Sequence, residues 1–222
     1  MRLTEIVQRL RVHFAIDDPL SYVSVLDMGR LWERILNRVG APIAYTQGYN
    51  PHPRFQFAAP LPVGYTSECE IVDLFMGQDV PTEGLLEVLR EQSPQGLTIN
   101  AVDEVPLKAI SPQSTMREAI YQVDVWTEAS SEQMDRALKG LLDQPTVIVQ
   151  RERKGRVKDV DLRKLVYELR YETSKDGAHR IHMRLRTGSN GAGRPEEILE
   201  AADIAANDLC IHRTELVWDD KR

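Results

Sequence analysis

Apolar residues that alternate with charged ones, interrupted by helical stripes in the same order twice, constrain this chain most. From Ile6 to Ile16, Leu10, Val12, Phe14 and Ile16 alternate with Arg9, Arg11 and His13, the period of a half-buried strand. Leu31, Trp32, Ile35, Leu36 and Val39 then fall at helical spacing, with Ser24 or Asp27 as the N-terminal cap and Gly40 as the stop. A short strand after Pro42, strands near 55–58 and over 70–76, a helix over 83–92 and a strand over 97–105 complete a first half. The pattern then repeats. A strand is expected over 119–127, a helix over 131–142 capped by Ser130 or Ser131, and strands over 147–153, 165–171 and 179–187. A helix over 196–206, opened by Pro195, and a strand over 210–218 close the chain.

Both halves read β-α-β-β-β-α-β, and dropping one strand leaves the ferredoxin-like order β-α-β-β-α-β. The expected fold is α+β: two pseudo-repeated ferredoxin-like halves with antiparallel sheets covered by helices on one face. The other face is left for solvent or a partner. The halves are placed at 1–105 and 117–222, with a linker at 106–116 marked by Pro106 and Pro112.

Composition excludes several classes. A hydrophobic share of 42% and a charged share of 28% are those of a globular protein. No apolar run reaches bilayer length and the first residues lack a signal-peptide core, so a cytoplasmic protein with no membrane role is expected. Cys69 and Cys210 form no cluster-binding spacing, so the chain is not itself a radical-SAM enzyme and no cofactor is expected. His179, His182, Cys210 and His212 lie on neighbouring expected strands, but strand parity puts His179 and His182 on opposite faces, and no metal site is assembled. A net charge of −6 argues against a strongly basic nucleic-acid binder. The stretch from Arg151 to Lys164 carries +4 against −10 for the rest. Its cations Arg151, Arg153, Lys154, Arg156, Lys158 and Arg163 are the expected contacts of an anionic partner, RNA first among them. The rows Arg9, Arg11, His13 and Arg180, His182, Arg184, Arg186 extend that expectation to the sheet faces.

The run from Ala44 to Phe55 packs one Gly, two Pro, one His and three aromatics into a stiff, shaped loop. Gly48 permits a positive φ, while Pro51 and Pro53 force Asn50 and His52 away from helix. Gln47, Tyr49, Asn50, His52 and Arg54 are its presented groups, and such loops carry binding disproportionately. Catalytic candidates are fewer. His52 is of the residue type most used as a general acid or base, Asp27 and Asp161 are carboxylates within motif-like stretches, and a duplicated ferredoxin-like plan is similar to that of tRNA pseudouridine synthases, which makes an Asp worth naming. The Gly188 to Gly193 stretch precedes a helix but lacks the Lys-Ser/Thr of a phosphate loop.

Gln47-Gly-Tyr-Asn-Pro-His-Pro-Arg-Phe, then Ala59-Pro-Leu-Pro-Val-Gly with Ser67 and Glu70, resembles the radical-SAM-linked protein family. That family is a domain of unknown function found alone or at the end of radical-SAM proteins. Thr46 stands where the family has Ser, and Tyr49 where it has Phe. The family's Ser-His-Leu-Asp appears as Ser24-Val25-Leu26-Asp27, without the His. Arg151 to Lys154, Asp161-Leu162-Arg163 and Arg213-Thr214 also resemble the family. The loop, the cationic stretch and the strand rows make a non-catalytic RNA- or protein-binding module the expected function, and the resemblance, which implies membership and not an activity, places it beside a radical-SAM or RNA-processing protein. The alternative is an RNA-modifying or small-molecule enzyme using the His52 loop and an Asp.

Overall fold

The computed structural model describes residues 5–153, 155–172, 177–188 and 191–219. It is a mixed α+β protein whose chain clusters into two compact units, Met1–Thr115 and Met116–Arg222. The first unit contains β1 (Gln8–Ile16), α1 (Asp18–Ser21), α2 (Val25–Arg38), β2 (Phe55–Phe57), β3 (Tyr65–Met76), α3 (Thr82–Gln92), β4 (Leu97–Val105) and α4 (Pro112–Thr115). The second contains β5 (Met116–Trp126), α5 (Ser131–Leu142), β6 (Ile148–Arg153), β7 (Arg156–Asp161), a 3-10 turn (Leu162–Leu165), β8 (Val166–Glu172), β9 (His179–Arg186), α6 (Pro195–Ala201) and β10 (Asp208–Trp218).

In the first unit the strands lie in the order β4-β1-β3-β2, all neighbours antiparallel. Leu10, Val12, Phe14 and Ile16 alternate inward as their spacing requires, and Leu10 and Val12 lie opposite Leu74 and Val72 of β3. Helix α2 covers this face with Trp32, Ile35 and Leu36, and the Trp32 ring stands edge-on to Phe14 at 5.1 Å. Each such buried side chain contributes about 1.5–3 kcal/mol. Ser24 caps α2 by accepting from the Asp27 amide. At the other end Gly40, with φ 65°, donates to Asn37 O while Ala41 donates to Leu36 O, a Schellman closure that needs glycine's left-handed backbone.

The opposite face of this sheet is not open along its length. Asp73 and Ile71 of β3 and Arg9 of β1 are buried there, so the expectation of a face left wholly to solvent or a partner is corrected for these residues. The short strand expected after Pro42 is two isolated bridges, Ile43↔Met76 and Tyr45↔Pro53, because the chain leaves the strand direction to enter the 45–53 loop. Residues 106–115, expected in a linker, are tied within the first unit. Arg9 donates to Ala109 O, and Gln56 donates to Ser111 Oγ and Gln113 Oε1. Met116 already opens β5.

In the second unit the order is β10-β5-β9-β8, again antiparallel. Val123, Val125, Ile181, Met183 and Leu185 face the core with Met134, Leu138 and Leu141 of α5 and Ile198 of α6. A capping box between Ser130 and Gln133 starts α5. Within the cationic stretch from Arg151 to Lys164, where no strand is expected between 153 and 165, β7 pairs with β6 in a separate two-stranded ribbon. The second unit therefore has one strand more than its expected order. Residues 156–161 alternate mainly charged side chains, and their strand lacks the apolar stripe that marks the others.

Candidate functional site

The 45–53 loop is closed at its neck by the Tyr45↔Pro53 bridge. The Thr46 amide donates to His52 O at 2.8 Å, the His52 amide donates to Thr46 Oγ1 at 3.0 Å, and the Arg54 amide donates to Ala44 O at 2.7 Å. The hydroxyl at 46 is thus a stitch across the loop, a role that Ser or Thr fills equally. Gly48 takes φ 137°, which a side chain resists. Pro53 is buried, whereas Gln47, Tyr49, Asn50, His52 and Arg54 are exposed, Tyr49 fully. The Arg54 guanidinium lies 5.3 Å from the Phe75 ring centroid. All five predicted loop residues are therefore presented together. Tyr45 Oη donates to Asn37 Oδ1 at 3.4 Å, which sets the loop beside the C-terminal turn of α2.

A second feature sits at the other end of α2. A cleft there has walls from Phe14, Ile16, Val25, Met28 and Leu61 and includes the buried Glu70. Counting its mouth it holds about 380 Å³ of empty space, of which about 20 Å³ admits the centre of a water molecule. The Gly64 amide donates to Ser21 O at 2.7 Å and fastens the 60–64 segment to the end of α1. A bulge builds the acidic wall. Between Phe14↔Glu70 and Ile16↔Ser67 the β1–β3 register slips, and Ser67 Oγ donates to Glu70 Oε1 at 2.7 Å. Sequence reading missed this cleft. Its signal was parity: Glu70 shares the core-facing alternation of Val72, Leu74 and Met76, where a carboxylate is out of place.

The cationic candidates fare unequally. Arg9 and Arg11 both donate to Asp73, and His13 Nε2 lies 3.3 Å from Asp103 Oδ2. Arg180 pairs with Asp124, His182 with Glu172 and Arg184 with Glu118. His182 also holds the Glu172 carboxyl below the usual range through their hydrogen bond. These contacts correct the expectation of two free cationic rows for Arg9, Arg11, Arg180 and Arg184, which are ion-paired, whereas Arg186 forms no ion pair among the described residues. Arg151 clasps Glu197 at the start of α6, and Arg163 donates to Leu142 O at 3.0 Å and Val166 O at 2.9 Å, so both hold the fold. Arg156 and Lys158 are exposed and form no ion pair among the described residues. Lys154 and the side chain of Arg153 lie outside the described residues.

Two of the three catalytic candidates have structural employment, while the His52 side chain is exposed on the loop. Asp27 accepts from Ser24 Oγ and Arg30, which lower its pKa, and it stands at the start of α2 while the His52 loop neighbours its end. Ten residues, about 15 Å of helix, lie between Asp27 and Asn37, the residue that the loop's Tyr45 meets. Asp161 accepts from the amides of Val147 and Arg163, and the Val147 bond is the main cause of its lowered pKa. It latches the base of the ribbon. His179 Nδ1 is 2.7 Å from Tyr171 Oη, and among the described residues no group of three or more His, Cys, Asp or Glu is placed to hold a metal. Gly193 serves close packing, since a Cβ there would meet Leu185 Cβ at 3.0 Å. Arg213 lies in the second unit's interior, 5.8 Å from the Tyr121 ring centroid.

Fold and site together define a two-unit α+β protein with a pinned, exposed loop and a narrow cleft at opposite ends of one helix. The chain belongs to the family described as "Uncharacterized protein conserved in bacteria (DUF2344)", matched over residues 9–195. Among curated proteins no sequence matches. Among solved structures the fold is similar to a chain of the "Crystal Structure of a Cbf5-Nop10-Gar1 Complex", with TM-score 0.51 and 9% identity. That match covers 100% of this chain and 53% of the other, so this chain spans about half the neighbour's length. An "Unknown Protein from Galdieria sulphuraria" matches at 15% identity over 93% of this chain and 98% of its own, with TM-score 0.28, too low to bear on the fold. No helix among the described residues is long and apolar enough to cross a membrane.

Proposed function

We propose that this chain is a non-catalytic protein-binding module of the cytoplasm, built as two ferredoxin-like units, that grips its partner with the 45–54 loop. The partner, as the family resemblance implies, is a radical-SAM or RNA-processing protein. Full exposure of Tyr49 on a loop stitched at its neck carries this reading. An aromatic ring held in water exposes apolar area that only a partner can bury, and Tyr and Arg dominate binding hot spots. A loop already pinned loses little further entropy on docking. The ferredoxin-like description is supported by the last-first-third-second strand order of each unit once the β6–β7 ribbon is set aside.

RNA is the second reading, and the ribbon favours it. Arg156 and Lys158 of β7 are exposed and form no ion pair among the described residues, which leaves two cations to meet a phosphate backbone. Purification from the native host at low salt separates the readings. A co-purifying protein lost in Tyr49→Ala/Arg54→Glu but kept in Arg156→Glu/Lys158→Glu is the expected result. Bound nucleic acid lost only in the latter variant would replace the protein reading with RNA, and partners unchanged in both variants would refute the two together.

A further inference from the structure

We propose that the cleft at the N-terminal end of α2 is a second docking site, which takes one aliphatic side chain of a partner protein flanked by Lys or Arg. The proposal rests on the reading of the chain as a protein-binding module, but not on the loop.

Size selects the anchor. About 20 Å³ open to a water centre is little more than one water requires, so the cleft admits a branched methyl tip and excludes an aromatic ring or a nucleotide base. Its surroundings are apolar to an extent that solvent does not favour. Tyr22 is 82% exposed, Leu26 77% and Val63 55%, and each is the chain neighbour of a residue that lines the cleft, Tyr22 of Ser21 and Val23, Leu26 of Val25, Val63 of Pro62. Exposed apolar area gathered around a concave site marks a protein contact.

Charge selects the flanks. Between Ile16 and Gly29 the chain has three acids and no Lys or Arg, and residues 55–67 carry no charge at all. Arg30 neutralises Asp27, whereas Asp17 and Asp18 are exposed and form no ion pair among the described residues. An acidic, apolar rim repels an anionic membrane surface and attracts a basic peptide. The site is also held in shape: the Ser24 cap fixes the start of α2, and Pro60 and Pro62 stiffen the opposite wall.

The test is methyl NMR of the full chain titrated with acetyl-Lys-Leu-Lys-amide, acetyl-Lys-Gly-Lys-amide and acetyl-Glu-Leu-Glu-amide. The first peptide is expected to shift the Val25, Met28 and Leu61 methyls saturably in the millimolar range, more weakly as salt is raised. The other two are expected to leave them in place. Val25→Glu, a substitution that the first turn of a helix tolerates, abolishes the shifts. Asp17→Asn/Asp18→Asn weakens binding roughly two- to tenfold. Tyr49→Ala changes nothing here, which separates this site from the loop: loss of the co-purifying partner in Tyr49→Ala tests the loop alone. Absence of shifts with the first peptide, equal shifts with all three, or shifts that survive Val25→Glu would overturn the proposal. So would concentration-dependent shifts of these methyls without peptide, because they would assign the cleft to a second copy.

Discussion

Asp73→Ala is expected to destabilise the protein by about 3–5 kcal/mol, the usual loss when one partner of a buried ion pair is removed. Asp73 is fully buried in β3 and accepts from Arg9 Nε at 3.0 Å, Arg9 Nη2 at 2.5 Å, Arg11 Nε at 2.8 Å and Arg11 Nη2 at 3.1 Å. The two arginines differ in what they can do once the carboxylate has gone. Arg11 is 24% exposed on its side chain and can turn toward water, so its share is small. Arg9 is 4% exposed and cannot shed its proton; only the bond to Ala109 O and the Phe75 ring at 5.4 Å remain to it. Most of the loss is therefore an uncompensated guanidinium. Arg9→Met/Asp73→Val removes that charge with its partner and is expected to recover most of the stability. Urea unfolding followed by tryptophan fluorescence measures both; for a slope of about 1–3 kcal/mol/M the single variant shifts the midpoint by more than about 1 M. A loss under about 1 kcal/mol, or a double variant no better than the single, would refute the argument and return Arg9 to the pool of available cations.

Three further outcomes follow from local geometry. Burial holds the His13 pKa below its ordinary 6.5 against the opposing pull of Asp103. The neutral ring is thus favoured in the folded state, and this group's contribution to stability is present above 6.5 and lost as pH falls below it. Ring-carbon titration should give a midpoint under 6.5, lower still in Asp103→Asn. Thr46→Val removes the acceptor of the His52 amide, whose hydrogen exchange should rise roughly two- to tenfold while Thr46→Ser leaves it unchanged. Asp161→Ala should speed exchange of the Val147 amide at neutral pH; in the native chain the same latch is kept above the ordinary carboxylate pKa and lost as pH falls through the lowered one.

The alternation of Leu10, Val12, Phe14 and Ile16 was legible because each contacts the same side of one strand, and the α2 stripe because its period is local. The Ser24 cap was legible for the same reason, and the structure settles which of Ser24 and Asp27 is the cap. The exposed loop was read from Gly48 and the two prolines, whose backbone limits act at their own positions. What escaped depends on register. Asp73 sits inside Ile71-Val72-Asp73-Leu74-Phe75, and only the pairing of β1 with β3 shows that it consumes Arg9 and Arg11. The cationic row of β9 was likewise visible, whereas its acids come from β5 and β8. The cleft joins residues from β1, α2, β3 and the 60–64 segment, and no single stretch announces it.

The central claim is that the loop tip touches a protein. A photo-reactive phenylalanine analogue in place of Tyr49, irradiated in the native host, tests it most directly, with Glu132 on α5 substituted in the same way as the control. The account predicts one predominant protein adduct at position 49, diminished by Arg54→Glu and absent at position 132. Adducts to RNA at position 49, or the same adducts at both positions, would contradict it.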